Sequence, residues 1–125
     1  MAPLPDVVLE AWKERKAPVV LTTVDTDGVP NAIYASCARL WGTDRIVVAD
    51  NYFNKTLANI KSGSKGSLLF ITEERKAYQV KGTLEYLTSG EIYEDMLTWV
   101  DPKHPRRAAA VLHVEQVYNG ATRLL

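Results

Sequence analysis

The residues with the clearest chemical meaning lie between Asp50 and Thr56, in the sequence DNYFNKT. An apolar run precedes this segment and a helical pattern follows it, so we expect Asn54 to cap a helix that Lys55 and Thr56 open. Free backbone N–H groups, a lysine charge and a threonine hydroxyl together suit an anion such as a phosphate. A capped helix with a solvated lysine also occurs without any ligand, so these residues alone leave both interpretations open.

A second candidate is the predicted strand from Pro30 to Trp41, because its middle, NAIYASCA, is rich in small and polar residues. Small side chains leave room for a flat ligand to approach the backbone, and Tyr34 could stack on such a ligand. The alternative is that these residues pack against neighbouring helices or a second subunit, and residue types alone favour that alternative.

Cys37, His104 and His113 provide a thiol and two imidazoles, but they match no known nucleophile or metal-binding motif. We therefore expect no metal site, no nucleophilic catalysis and a structural or interface role for His113. A single cysteine cannot form an intrachain disulfide, which favours a reducing, cytoplasmic compartment.

The chain has 125 residues with 15 Lys+Arg and 15 Asp+Glu, so its formal net charge is zero. Binding to nucleic acid or to an anionic membrane draws on clustered positive charge, so neither partner is expected. No apolar run approaches the length of a membrane span. The length and composition predict one domain over residues 1–125. The one basic cluster is predicted to be a solvated loop and contains Lys103, His104, Arg106 and Arg107.

The spacing of apolar residues predicts a mainly β fold with short peripheral helices. Three strands joined by tight turns, at 19–25, 30–41 and 45–50, are expected to form an antiparallel meander. Six antiparallel strands suggest a small barrel, with an open α+β sandwich as the alternative. The other strands are predicted at 67–73, 76–87 and 107–118, and helices at 6–16, 54–61 and 91–100, the last opened by a capping box at 88–91.

The order of elements and three stretches of sequence resemble the FMN-binding split-barrel family, and within it the small bacterial FMN-binding proteins related to pyridoxamine 5′-phosphate oxidase. The stretches are VVLTTVDTDG at 19–28, RIVVADNYFNKTLANI at 45–60 and KGTLEYLTSG at 81–90. The resemblance implies a six-stranded, Greek-key-like antiparallel split β-barrel that binds FMN at the interface of a homodimer.

The resemblance also assigns residues to the cofactor. Lys55 and Thr56, with Asn54 nearby, would hold the phosphate. The strand 31–37 would lie along the isoalloxazine ring, and residues 49–51 would pass the ribityl chain. Residues 99–107 or 124–125 of the partner subunit would close the pocket. The implied cofactor-binding residues are Asn31, Ile33, Tyr34, Ala35, Ser36, Ala49, Asp50, Asn51, Asn54, Lys55 and Thr56.

By this resemblance the protein is an FMN flavoprotein with a redox role, either electron transfer to a protein partner or reduction of a small acceptor. As an enzyme it would be pyridoxamine 5′-phosphate oxidase-like or flavin reductase-like, but the additional arginines of the pyridoxamine phosphate oxidases are absent, which disfavours vitamin B6 oxidation. Cys37 and Pro105 stand where some small members carry aromatic residues. This departure motivates the alternative of a non-catalytic split-barrel module that binds haem, a deazaflavin or a protein partner.

Overall fold

The computed structural model describes residues 2–125, and within them eight strands form one antiparallel sheet against which three short helices pack. No helix in this part of the chain is long and apolar enough to cross a bilayer. The helices are α1 (Asp6–Lys13), α2 (Lys55–Lys61) and α3 (Glu91–Trp99). The strands are β1 (Val19–Val24), β2 (Pro30–Ala35), β3 (Ala38–Trp41), β4 (Arg45–Asp50), β5 (Lys65–Ile71), β6 (Ala77–Leu87), β7 (Ala108–Asn119) and β8 (Thr122–Arg123).

The sheet begins and ends with two strands that are neighbours in the chain. Its order is β2-β1-β5-β6-β7-β4-β3, with the short β8 paired to β7, so β2 and β3 are its two edges. Only Ser36 and Cys37 separate these edge strands, so the Cα atoms of Ala35 and Ala38 lie at most about 11 Å apart. The sheet must therefore curl until its edges meet. The predicted mainly β, antiparallel split barrel is confirmed.

Two predictions about the strands are wrong. The segment 30–41 is not one strand, because the chain leaves one edge of the sheet at Ser36 and joins the opposite edge at Ala38. Consequently the first three runs do not form a meander: among the described residues β2 pairs with β1 alone, and β3 pairs with β4 alone. This break and the unpredicted strand β8 give eight strands instead of six.

Strand β4 is buried on both faces, which explains its unbroken apolar sequence. Ile46 and Val48 belong to the core cluster enclosed by the curled sheet, where Trp12 of α1 also packs. Val47 points to the opposite side, into a second cluster that is covered by Met96 of α3. The buried strand fixes the position of the residues that follow it, 51–53.

The helices lie where the sequence predicts them, although α1 ends at Lys13, earlier than expected. The capping box at 88–91 is wrong, because the N-cap of α3 is Gly90, with φ of 95° and no side-chain cap. Asn54 occupies the N-cap position of α2, as predicted, but its side chain makes no capping hydrogen bond.

Two glycines face each other across β5 and β6 and provide a test of this sheet. A Cβ atom at Gly82, beside a bulge, would lie 1.7 Å from the carbonyl oxygen of His113, whereas one at Gly66 would meet the movable side chain of Leu84 at 2.6 Å. We expect Gly82→Ala to lower the free energy of unfolding by more than about 3 kcal/mol, and Gly66→Ala by about 1–3 kcal/mol. Urea titration measures both, and equal losses would contradict the bulge.

Candidate functional site

A cleft of about 260 Å³ lies beside the junction of the two sheet edges. Three separate segments of the chain form its walls. They are the end of β2 with the two residues after it, the end of β4 with the loop that follows, and one residue from the loop before β7. The lining residues are Ile33, Tyr34, Ala35, Ser36, Cys37, Ala49, Asn51, Tyr52, Phe53 and His104.

Six of the eleven predicted cofactor-binding residues lie in this cleft, and a backbone hydrogen bond joins two of its walls. The six are Ile33, Tyr34, Ala35, Ser36, Ala49 and Asn51. The backbone N–H of Ala49 donates to the carbonyl oxygen of Cys37 at 2.9 Å, which holds the end of β4 against the junction. The sequence therefore located most of the cleft, while the assignment of these residues to a cofactor stays a prediction.

Three other predicted residues lie at the far end of β2. Asn31 Nδ2 donates to Thr56 Oγ1 at 3.3 Å, which ties the first residues of β2 to the buried first turn of α2. Lys55 is exposed, and no carboxylate pairs with it within residues 2–125. Because α2 has only seven residues, an anion here would be held chiefly by side chains rather than by the helix dipole.

The sequence predicts that Asp50 contacts a cofactor, but in the structure its side chain contacts other groups of the protein instead. Its side chain is 0% exposed, and it does not line the cleft. Oδ1 accepts hydrogen bonds from Arg107 Nη2 at 2.8 Å and from the backbone N–H of Phe53 at 2.9 Å, and Oδ2 accepts one from the hydroxyl of Tyr86. The carboxylate is thus satisfied by the protein itself.

Arg107 ties the loop before β7 to the loop after β4. Besides its ion pair with Asp50, its Nη2 donates to the carbonyl oxygen of Phe53 at 2.6 Å, and its backbone N–H donates to the carbonyl oxygen of Asp50 at 2.9 Å. The backbone N–H of Arg106 adds a bond of 3.1 Å to Asn51 Oδ1. The basic cluster lies in a loop, as predicted, and its Arg107 side chain is 44% exposed, but Arg106 and Arg107 also bond to the residues at the end of β4 and after it.

Two members of the hydrogen-bond network around Asp50, Tyr86 and Arg107, have raised pKa values. Burial, and then the hydrogen bond to Asp50, raise the pKa of Tyr86 above the usual 10.0. The hydrogen bond to Asp50 also raises the pKa of Arg107. Both shifts favour the charge pattern observed, a carboxylate held by a neutral phenol and a guanidinium.

Sequence reasoning did not assign Tyr52 to the site, and it placed residues 99–107, which include His104, at the pocket only as part of the partner subunit. The side chains of Tyr52 and His104 meet at the mouth of the cleft, with Tyr52 Oη 3.5 Å from His104 Nδ1 and the rings in a T-shaped contact. No local pattern links two residues separated by 52 positions, so only the fold reveals the pair. His113 lies elsewhere, on β7, with its Nε2 2.9 Å from Glu85 Oε1. Within residues 2–125 no cluster of potential metal ligands is found.

Comparison with known proteins places the chain in a family. The family model described as pyridoxamine 5′-phosphate oxidase matches residues 6–120. The chain belongs to this family. An uncharacterized protein of Methanocaldococcus jannaschii is 32% identical over 106 residues, which cover 81% of this chain and 71% of that protein.

Solved structures show the same fold. An FMN-binding protein of Syntrophomonas wolfei superposes with a TM-score of 0.71 at 24% identity, covering 87% of this chain and 80% of that one. HutZ, the haem storage protein of Vibrio cholerae, superposes with a TM-score of 0.66 at 18% identity, covering 94% and 95%. Proteins of this fold thus include one named for FMN and one named for haem.

The hydrogen bond between Tyr86 and Asp50 predicts a stabilisation of the folded protein that depends on pH. Tyr86→Phe removes a hydrogen bond to a buried carboxylate, so we expect a loss of about 1–3 kcal/mol in the free energy of unfolding at neutral pH. Because the folded-state pKa is raised above 10.0, the contribution of Tyr86 is complete below about pH 10 and is lost as the pH rises through the raised value.

Urea titrations of both proteins from neutral to strongly alkaline pH provide the measurement. The gap between them should be constant up to about pH 10 and narrow above it. Tyr118→Phe is the matched control, because that hydroxyl contacts the amide of Gln116 at 3.2 Å instead of a carboxylate. A gap for Tyr86→Phe that does not narrow would contradict the assignment.

Proposed function

We propose that the cleft and the first turn of α2 together bind FMN, with the flavin ring in the cleft and the phosphate at Lys55. The observation that carries this proposal is that the cleft lies against the end of β2, an edge strand of the curled sheet, and against the junction that follows it. Edge strands leave backbone N–H and C=O groups without sheet partners, and a flat heterocycle with polar edges can bond to them. The small side chains of Ala35, Ser36 and Ala49 leave room for such a ring.

The phosphate end is supported by a separate set of residues. Lys55 offers a charge that no carboxylate of the described residues neutralises, and the Thr56 hydroxyl is held by Asn31. Asn31 and Ala35 are four residues apart on β2, or about 13 Å along an extended strand. A ligand with a ring at one end, a phosphate at the other and a flexible chain between them suits this separation.

When bound, FMN would supply the redox chemistry, and the protein would bind, orient and shield it. The described residues that line the cleft include no carboxylate, and their one imidazole, His104, contacts the hydroxyl of Tyr52. We assign no general base, and we propose electron transfer to a protein partner or reduction of a small acceptor, in keeping with the wider family.

One observation favours haem as a second candidate. Cys37 and His104 both line the cleft, and a thiolate or an imidazole can ligate haem iron. HutZ shows that this fold occurs in a haem storage protein. A haem-binding role would make the protein a carrier without the redox role proposed above. Separate titrations of the apoprotein with haemin, FMN and a deazaflavin distinguish these cofactors.

The charge of Lys55 gives the sharpest test of FMN binding. We expect the purified protein to be yellow, and we expect Lys55→Met to weaken FMN binding about 10- to 100-fold, because a hydrogen bond to a charged group is lost. Riboflavin, which lacks the phosphate, should bind the variant as well as it binds the wild type. Isothermal titration measures each affinity.

Lys61→Met is the matched control, since it removes the same charge from the other end of α2. Its FMN affinity should stay within about threefold of the wild type, a change of less than 1 kcal/mol. A protein that binds neither FMN nor riboflavin would overturn the proposed function. Equal losses in the two lysine variants would overturn the phosphate assignment alone.

We further propose that the chain forms a homodimer through the outer face of β1, β2 and β5. Val20 pairs with Tyr34 on one side and with Leu69 on the other, so the three side chains form one row on one face. Tyr34 is 79% exposed and Leu69 is 43% exposed, and contiguous exposed apolar side chains mark interaction surfaces. Because Tyr34 also lines the cleft, a second subunit on this face would adjoin the ligand.

A charge placed in this row tests the dimer. Leu69→Glu should give a monomer in sedimentation velocity, because a carboxylate would be buried without a partner in the interface. The control is Val7→Glu, at a residue that is 53% exposed on α1, and it should leave the sedimentation coefficient unchanged. A wild-type monomer at tens of micromolar protein would contradict the proposal.

A further inference from the structure

The polar side chains of the cleft differ in whether they are free to bind a ligand. Both polar atoms of the Asn51 side chain already have partners. Its Oδ1 accepts a hydrogen bond from the backbone N–H of Arg106, and its Nδ2 lies 3.6 Å from Cys37 Sγ. The hydroxyl of Tyr52 is directed to His104. Among the described lining residues, the side-chain groups without such a partner are the hydroxyls of Tyr34 and Ser36 and the Nε2 atom of His104.

Of these three groups, His104 Nε2 is the one whose side chain also has a ring contact and a polar contact with a neighbouring side chain. Tyr34, near the end of β2, and Ser36, in the junction that follows it, are both exposed. The His104 backbone N–H donates to the carbonyl oxygen of Asp101 at 3.0 Å, and its ring packs edge-to-face on Tyr52 with centroids 6.1 Å apart. A group whose position is fixed before binding loses less conformational entropy when it meets a ligand.

If the hydroxyl of Tyr52 is the donor in its contact with His104, that contact favours one tautomer of the imidazole. A phenol donates its proton to the unprotonated nitrogen of a neutral imidazole, which would make Nδ1 the acceptor. The proton of the ring then resides on Nε2, which becomes a donor. The contact of 3.5 Å is long for a hydrogen bond, as such contacts often are before a ligand is bound.

Tyr52 and His104 lie on two different loops, and each loop is bonded to the buried side chain of Asp50. Tyr52 lies between Asp50 and Phe53, whose backbone N–H and C=O are bonded to Asp50 and to Arg107 respectively. His104 lies three residues before Arg107, which also pairs with Asp50. The same carboxylate therefore fixes both sides of the cleft mouth.

We propose that His104 is a ligand-binding residue that donates a hydrogen bond from Nε2 to an acceptor atom on the edge of the bound flavin ring. Tyr52 is its positioning residue, and it selects the Nε2–H tautomer. Oxidised isoalloxazine offers carbonyl oxygens and unprotonated ring nitrogens as acceptors. This inference rests on the proposed FMN site and adds to it a contact that recognises the ring rather than the phosphate.

The test measures FMN and riboflavin affinity in His104→Phe, His104→Gln and the control Lys103→Gln. His104→Phe should weaken both ligands about tenfold, which corresponds to about 1.4 kcal/mol. A glutamine can place an amide N–H near the position of Nε2, so His104→Gln should retain binding within about threefold. Lys103 is exposed on the same loop and outside the cleft lining, so its variant should match the wild type.

Imidazole ¹⁵N NMR gives a readout that does not depend on affinity. The wild type should show the Nε2–H tautomer of His104, FMN should shift the Nε2 resonance, and Tyr52→Phe should return the ring to a mixture of tautomers. A His104→Phe variant that binds both flavins within twofold of the wild type, or an Nε2 resonance that FMN leaves unchanged, would overturn this inference alone. A wild type that binds no flavin would overturn the proposed function, and this inference with it.

Discussion

The short junction between the two edge strands is the constraint on which the rest of the structure depends. Ser36 and Cys37 are too few residues to cross an open sheet, so the sheet curls until β2 and β3 lie side by side. The curl encloses the larger core cluster, and the line where the edges meet is left unpaired. The cleft lies beside this junction and against the end of β2, an edge strand whose outer backbone groups have no partner strand among the described residues.

A second constraint acts at the mouth of the cleft, where the carboxylate of Asp50 is fully buried. An isolated buried carboxylate is strongly destabilising, so its position requires Arg107, Tyr86 and the backbone N–H of Phe53 as partners. These partners come from β6 and from two loops, and the carboxylate therefore fixes loops that would otherwise be independent. In this arrangement Asp50 shapes the cleft without lining it.

The sequence predicts the parts of this structure that depend on neighbouring residues. Strand β4 was predicted at its observed bounds because a strand buried on both faces has an unbroken apolar run. The break at Ser36 was missed because neither residue of the junction is a glycine or a proline, and the change of edge is a property of the whole sheet. The contacts of Asp50 and His104 could not be predicted for a related reason: these partners lie 36 to 57 residues away in the sequence, and only the fold brings them together.

The central claim is that one ligand lies along β2 from Asn31 to the cleft, with its ring in the cleft beside the junction of the two edge strands. The most direct test is a ¹H–¹⁵N correlation spectrum of the isotopically labelled protein during titration with FMN. We expect shifts confined to the backbone amides of residues 31–37, 49–56 and 104–107. Shifts centred instead on the shallow depression formed by residues 24–26 and 62–65 would contradict the claim.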